Sequence, residues 1–229
     1  KRQAQGKPLW TFATRPCEVL YLCLEDSFQR IQSRLFDLTE DAPPTLHFAV
    51  MSERLHSGLV QQIEQFLTEH PATGLVVIDT LQRVRAAGNE TNPYASDYRD
   101  IGVLKALADR HRIAVLLIHH LRKMNDEDPM NMISGTTGLS GATDSNFVLR
   151  KSRREENNTT LYCTGRDISY RELSLEFDSE SHIWNLVSDD CGQTEQSCKR
   201  VLFLLSALLR EQPEICAPAK ALLEKIDPD

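Results

Sequence analysis

Apolar runs that end abruptly in polar residues alternate with amphipathic stripes through the first half of this chain. Three such runs, with the residues that follow each, are 19–24 before Glu25-Asp26-Ser27, 74–78 before Asp79-Thr80, and 114–118 before His119-His120. A continuous apolar run of this length is typical of a strand buried on both faces. Strands alternating with helices predict right-handed βαβ units, and hence an α/β fold with a mostly parallel sheet flanked by helices.

The remaining elements follow from the same patterns. Apolar stripes predict helices near residues 28–38, 59–67 and 101–108, with a short strand at 46–50 and a polar loop at 83–96. After Asn146 the pattern changes to short strands near 147–150, 159–164, 173–177 and 182–187, which predict an antiparallel extension. We expect three segments: a core over 1–188, a linker over 189–197, and a helical appendage over 198–229 whose stripe fits the start of a winged helix.

The charge balance limits the classes of partner. The chain has 26 Lys and Arg against 33 Asp and Glu, a formal net charge of −7. Such a surface is not expected to coat nucleic acid by electrostatics alone, although local basic patches remain open. The sequence has no apolar run near the roughly 20 residues that cross a bilayer and no signal-peptide stretch at its start. We therefore expect no membrane partner and a cytoplasmic location.

The polar residues after the three runs are the candidate site. The carboxyl ends of parallel strands meet at one edge of a sheet, where α/β proteins bind ligands. Glu25, Asp79 and His120 would then converge there, supplying one carboxylate for water, one for Mg²⁺, and a hydrogen-bonding group. Taken singly, each has a simpler interpretation: a helix cap for an acid after a strand, or packed polar residues for the histidines.

These segments together resemble the RecA-like P-loop ATPases, in the subgroup of the plasmid replicative helicase RepA. Residues 19–27 resemble the strand bearing the catalytic glutamate, 75–81 the Walker B strand, and 116–123 the family's IHHxRK motif. Residues 135–142 are similar to the small-residue turn after its DNA-facing loop, and 164–167 with 173–178 to its distal strands. The resemblance covers residues 4–187 as an ordered set.

The resemblance implies ATP and Mg²⁺ as cofactors and a role for each strand-end residue. Glu25 would polarise the attacking water, Asp79 would hold Mg²⁺, and Thr80 would lie beside the nucleotide. His120 would be the sensor of the γ-phosphate, with His119 either a second nucleotide contact or only a packed neighbour. Arg166 would be a basic finger reaching a neighbouring subunit, and its alternative is a surface arginine paired with Asp167.

The resemblance also implies single-stranded DNA as a partner and a homo-oligomeric ring, such as a hexamer, with loops 83–96 and 122–134 facing the channel. Arg122 and Lys123 would meet DNA in the second loop, where Asp126, Glu127 and Asp128 offset their charge. The implied function is the ATP-hydrolysing core of a helicase or translocase. The mixed charge keeps an alternative open, a RecA- or KaiC-like ATPase that regulates assembly without helicase activity.

One family motif is missing from the printed sequence. No GxxxxGK followed by Ser or Thr occurs in residues 1–229, and residues 4–10 resemble the segment that follows the P-loop helix. We expect the chain to begin after that motif, the alternative being natural loss, and residues 1–229 alone to be inactive. We also expect the strand at residues 115–118 to have an unpaired edge where the P-loop strand would lie.

Overall fold

The computed structural model describes residues 1–85, 92–122, 126–151 and 158–190. Its central element is a parallel sheet of four strands in the order β2-β1-β3-β4. Its strands are β1 (Glu18–Cys23), β2 (Leu46–Ala49), β3 (Thr73–Asp79) and β4 (Ala114–Ile118). Cys23 pairs with Asp79, and Asp79 with Ile118, so the three strands end level with one another. The predicted parallel sheet is confirmed.

Helices precede and connect these strands. They are α1 (Arg2–Gln5), α2 (Phe28–Leu38), α3 (Val60–Glu69) after a π-helical turn at Leu55–Leu59, α4 (Leu81–Val84), α5 (Pro93–His111) and α6 (Thr137–Ala142), with a 3₁₀ turn at Pro129–Met132. Ser27 caps α2 by accepting a bond from the amide of Arg30 at 3.4 Å. None of the helices in the described ranges is long and apolar enough to span a bilayer.

The sequence interpretation was wrong at two places in these connections. The loop expected over residues 83–96 instead holds the end of α4 and the start of α5, because Asn92 caps the helix through Ala95 N and Pro93 suits its first turn. The small-residue segment after residue 135 contains α6, which Thr136 caps through the amide of Gly138.

The parallel sheet is covered differently on its two faces. On one face Leu20, Val76 and Ile78 pack with Leu59 and Leu104 in the main core. The other face, which includes Val19 and Val77, borders a groove of about 360 Å³. Burial of apolar side chains on the first face supplies most of the stabilisation that holds the strand ends in place.

Strand β4 lies at the end of the sheet order, paired within the described residues only with β3. The expected open edge at residues 115–118 is therefore observed. Residues near the N-terminus do not fill it: Leu9 bridges to Phe12, and the indole N–H of Trp10 donates to the carbonyl of Trp184 at 2.7 Å. That segment docks on the second sheet.

The second sheet is antiparallel, in the order β5-β6-β7-β8. Its strands are β5 (Ser145–Lys151), β6 (Asn158–Gly165), β7 (Arg171–Asp178) and β8 (Ile183–Asp189). This confirms the predicted antiparallel extension. The helical appendage and most of the linker expected over 189–229 lie outside the described residues.

Candidate active site at the carboxyl edge of the parallel sheet

Glu25, Thr80 and His120 meet where β1, β3 and β4 end. The buried hydroxyl of Thr80 donates to Glu25 Oε1 at 3.0 Å. His120 Nε2 lies 3.9 Å from the other carboxylate oxygen of Glu25, and the Glu25 and His120 side chains are 44% and 70% exposed. The site thus presents an oriented carboxylate beside an imidazole, both accessible to a ligand.

Asp79 lies at the same edge but interacts with another strand. The phenol of Tyr21 donates to Asp79 Oδ2 at 2.9 Å, across the β1–β3 pair. Burial, then the hydrogen bond to Asp79 and its charge, raises the pKa of Tyr21, so the phenol keeps its proton. Burial, together with the negative charges of Asp79 and Asp26, raises the pKa of Cys23 to about 12. The edge therefore holds ionised carboxylates among neutral donors.

His119 has a different environment from His120. Its Nε2 lies 2.8 Å from the carbonyl of Ser134, and because a carbonyl only accepts, Nε2 carries the proton. Burial lowers the pKa of His119, and the nearby charges of His120 and Arg85 lower it further. Its Nδ1 is buried without a partner among the described residues. The structure thus brings His120 to Glu25 and places His119 against the loop before α6.

A buried ionic cluster, which the sequence did not reveal, supports this edge from below. Arg85 contacts Asp97 Oδ1 and Asp100 Oδ2, each at 2.6 Å. Asp97 also accepts two 2.8 Å bonds, from the amide and the hydroxyl of Thr136. Burial opposes ionisation of Asp97, but these bonds and the Arg85 guanidinium outweigh it and lower its pKa. His56 Nε2 donates to Asp100 at 2.7 Å, so the cluster joins four segments of the chain.

Arg166 lies apart from the strand ends. Its guanidinium lies 3.5 Å from Asp144 Oδ1 and 3.5 Å from the carbonyl of Gly141, and its amide donates to the carbonyl of Asp144. Its acidic partner is therefore Asp144 rather than Asp167, the partner suggested by the sequence. A single chain does not test its role toward a neighbouring subunit.

The two residues expected to meet DNA differ in what the structure says of them. Arg122 is exposed, and its guanidinium donates to the carbonyl of Gly135. Lys123 lies outside the described residues. Leu121 bridges to Ile133, which closes the base of the loop between them.

Comparison with known proteins places the fold in a family. The AAA domain family matches residues 2–126, more than half of the chain. The chain belongs to the AAA domain family. Among solved structures, this AAA domain is similar to a separately solved ATPase domain, with 14% identity, a TM-score of 0.62 and 75% of each chain covered. No curated protein matches the chain significantly in sequence.

A second solved structure, a DnaB-like replicative helicase described with its interactions with primase, is 15% identical with a TM-score of 0.60. The match covers 74% of this chain and 50% of the helicase chain, so the AAA domain spans half the length of that relative. These likenesses, with the parallel sheet and its antiparallel extension, show a RecA-like P-loop ATPase fold.

The donor set at the sheet edge fits the nucleotide and Mg²⁺ that such a fold uses. Mg²⁺ prefers oxygen ligands and keeps several of its waters, and Asp79 and Glu25 present carboxylates at adjacent strand ends. The exposed imidazole of His120 can meet a phosphate oxygen. These residues supply the hydrolytic half of an ATP site.

Proposed function

We propose that this AAA domain is the ATP-hydrolysing core of a RepA-like DNA helicase or translocase that acts in replication or in a mobile element. The observation that carries the proposal is the Glu25 carboxylate, oriented by Thr80 and flanked by His120 at the carboxyl edge of the sheet. A carboxylate held in this way can accept a proton from a water molecule that attacks a phosphate.

Each residue has a role that its contacts support. Glu25 is the general base, and Thr80 positions it by occupying one carboxylate oxygen. Asp79 would hold Mg²⁺ through its waters, with Tyr21 fixing one of its oxygens. Bound Mg²⁺ supplies positive charge on the β- and γ-phosphate oxygens. His120, adjacent to Glu25, donates to the γ-phosphate, which couples hydrolysis to the start of the loop at residues 121–135.

The phosphate cradle is the part that residues 1–229 do not encode. Without the backbone amides and the lysine of a P-loop, a triphosphate would bind this edge only through a few side chains. We therefore expect little ATP turnover from the 229 residues alone, and tests of catalysis use the protein as its gene encodes it.

A surface near the strand ends suits single-stranded DNA. Tyr94 and Tyr98 are half exposed on the first turns of α5, with ring centroids 6.5 Å apart and planes 17° apart. Parallel aromatic rings of this kind can stack nucleic-acid bases. The turn at Gly135–Gly138 connects them to a cation, since Arg122 donates to Gly135 and the Tyr94 backbone lies against Gly138.

Assembly into a ring completes the proposal. Arg166 is exposed and held by Asp144, a position from which it would reach the γ-phosphate of a neighbouring subunit. Residues 189–197 would link the core to a helical appendage over 198–229, which completes the domain organisation that we propose.

The test is ATP hydrolysis by the protein as its gene encodes it, with and without single-stranded DNA. A helicase or translocase core hydrolyses ATP faster when DNA occupies its channel. Hydrolysis that DNA leaves unchanged, together with unwinding activity at background level, would instead favour an ATPase that regulates assembly.

A further inference from the structure

A trio of potential metal ligands lies at the opposite edge of the parallel sheet, where the strands begin. Glu18 is the first residue of β1, His47 lies in β2, and His70 ends α3. His47 Nε2 lies 3.1 Å from Glu18 Oε2, and His70 Nδ1 lies 2.8 Å from the same oxygen. The three ligand atoms lie within 4.8 Å of one another.

Two imidazole nitrogens aimed at one carboxylate oxygen form the arrangement that a small cation requires. In a tetrahedral Zn²⁺ site with bonds of about 2.0–2.2 Å, neighbouring ligand atoms lie roughly 3.3–3.5 Å apart. The two measured nitrogen–oxygen separations are a few tenths of an ångström shorter. Side-chain rotation alone would open the trio enough to admit the ion.

The surroundings hold both imidazoles in place. The Phe66 ring stacks on His70 with centroids 4.3 Å apart and meets the edge of His47 at 5.2 Å. The carbonyl of His70 accepts bonds from the amide and the hydroxyl of Thr73, at 3.1 and 2.8 Å. Such contacts around a ligand fix its orientation and strengthen metal binding.

The trio is also open to solvent. The side chains of Glu18, His47 and His70 are 22%, 25% and 32% exposed, which gives an ion a path to the ligands and leaves room for a bound water. Two imidazoles and one carboxylate, with an open fourth position, suit Zn²⁺ better than the all-oxygen preferences of Mg²⁺ or Ca²⁺.

We propose that Glu18, His47 and His70 form a Zn²⁺ site that fastens the C-terminal end of α3 to the first residues of β1 and β2. The site is separate from the candidate ATP site, because Glu18 and Glu25 lie at opposite ends of β1. Bound Zn²⁺ stabilises the folded domain, since the unfolded chain does not hold the three ligands together.

The experiment uses the 229-residue protein freed of metal with a chelator. Co²⁺ is titrated as a coloured substitute for Zn²⁺, Zn²⁺ is then added in competition, and the melting temperature is measured with and without Zn²⁺. The variants are His47→Gln with His70→Gln, which keep an N–H donor for Glu18 but remove the imidazole ligands. His111→Gln is the matched control, because His111 lies 3.5 Å from the carboxylate of Glu64 with similar exposure.

For the wild type we expect one Co²⁺ per chain, with the visible absorption of a four-coordinate site, displaced by one Zn²⁺. At Zn²⁺ a hundredfold above its Kd the melting temperature should rise by roughly 5–10 °C. The double variant should lose at least a hundredfold in affinity and the whole thermal shift, and His111→Gln should behave as wild type.

Three results would overturn the proposal: no saturable binding by the wild type, equal binding by the double variant, or a thiolate-to-cobalt band that places the metal on cysteines. A hydrogen-bonded trio without metal would give the first. If the double variant does not fold, His70→Cys replaces the imidazole with another good Zn²⁺ ligand. The folded His70→Cys protein must then bind Zn²⁺ and show the thiolate band.

Discussion

The hydroxyl of Thr80 donates to Oε1 of Glu25 across 3.0 Å, joining the residues that follow β3 and β1. Thr80 is buried, whereas the Glu25 side chain is partly open to solvent. One carboxylate oxygen is therefore fixed and the other is left for a ligand. In the proposed mechanism this bond determines where the general base points.

Replacing Thr80 with Val should remove that bond at almost constant volume. Because a misdirected base costs about a hundredfold in rate, we expect kcat for ATP hydrolysis to fall by roughly that factor with little change in KM. Steady-state kinetics of the protein as its gene encodes it would measure both. Thr68→Val, on the exposed face of α3, is the control. A Thr80→Val enzyme with unchanged kcat would show that the bond does not position the base.

The Arg85 cluster should matter for stability. Arg85→Met would leave Asp97 and Asp100 buried without their cation, which typically costs about 3–5 kcal/mol of unfolding free energy. Arg110→Met breaks an exposed pair with Glu64 and should cost less than about 1 kcal/mol. Chemical denaturation of the 229-residue protein at neutral pH would compare them. Equal losses would contradict the structural role of the cluster.

His119 should make the stability depend on pH. Burial holds its pKa below the ordinary 6.5, so below about pH 6.5 the unfolded chain takes up the proton first. The free energy of unfolding should therefore fall as pH drops from 6.5 toward the lower pKa of the folded state. His119→Gln keeps an N–H for the Ser134 carbonyl and should flatten that part of the curve. Parallel curves for both proteins between pH 7.5 and 5 would rule out this contribution.

The tyrosine pair should contribute to DNA binding. Removing Tyr94 and Tyr98 together should weaken binding of single-stranded DNA by about 5- to 150-fold, given roughly 1–3 kcal/mol for a stacked base. Tyr170→Ala is the matched control, since Tyr170 is equally exposed but lies between β6 and β7. Fluorescence anisotropy with oligothymidine at one salt concentration would give the affinities. Equal affinities for the two variants would remove this surface from the proposal.

Sequence patterns were sufficient to predict the parallel sheet and the residues at its carboxyl edge. Buried strands leave continuous apolar runs, and strands that share a direction must end at the same edge. That is why Glu25, Asp79 and His120 were identified before any coordinates were considered. The open edge of β4 followed from the same reasoning.

Other contacts depend on packing that no local pattern records. Arg85 and Asp97 pair across a segment whose loop prediction was wrong, and Glu18 meets His70 from 52 positions away. Such pairs arise from the register between strands and from where each helix ends. The partner of Arg166 was wrong for the same reason, because Asp167 is adjacent in sequence but Asp144 is adjacent in space.

The central claim is that Glu25 is the base of an ATPase, and the most direct test compares Glu25→Gln with wild type in the protein as its gene encodes it. Nucleotide binding and hydrolysis are measured separately, with Glu69→Gln, an exposed acid at the end of α3, as the control. We predict that Glu25→Gln binds ATP with wild-type affinity and hydrolyses it about 10²- to 10⁴-fold more slowly. Hydrolysis by Glu25→Gln at the wild-type rate would contradict the account.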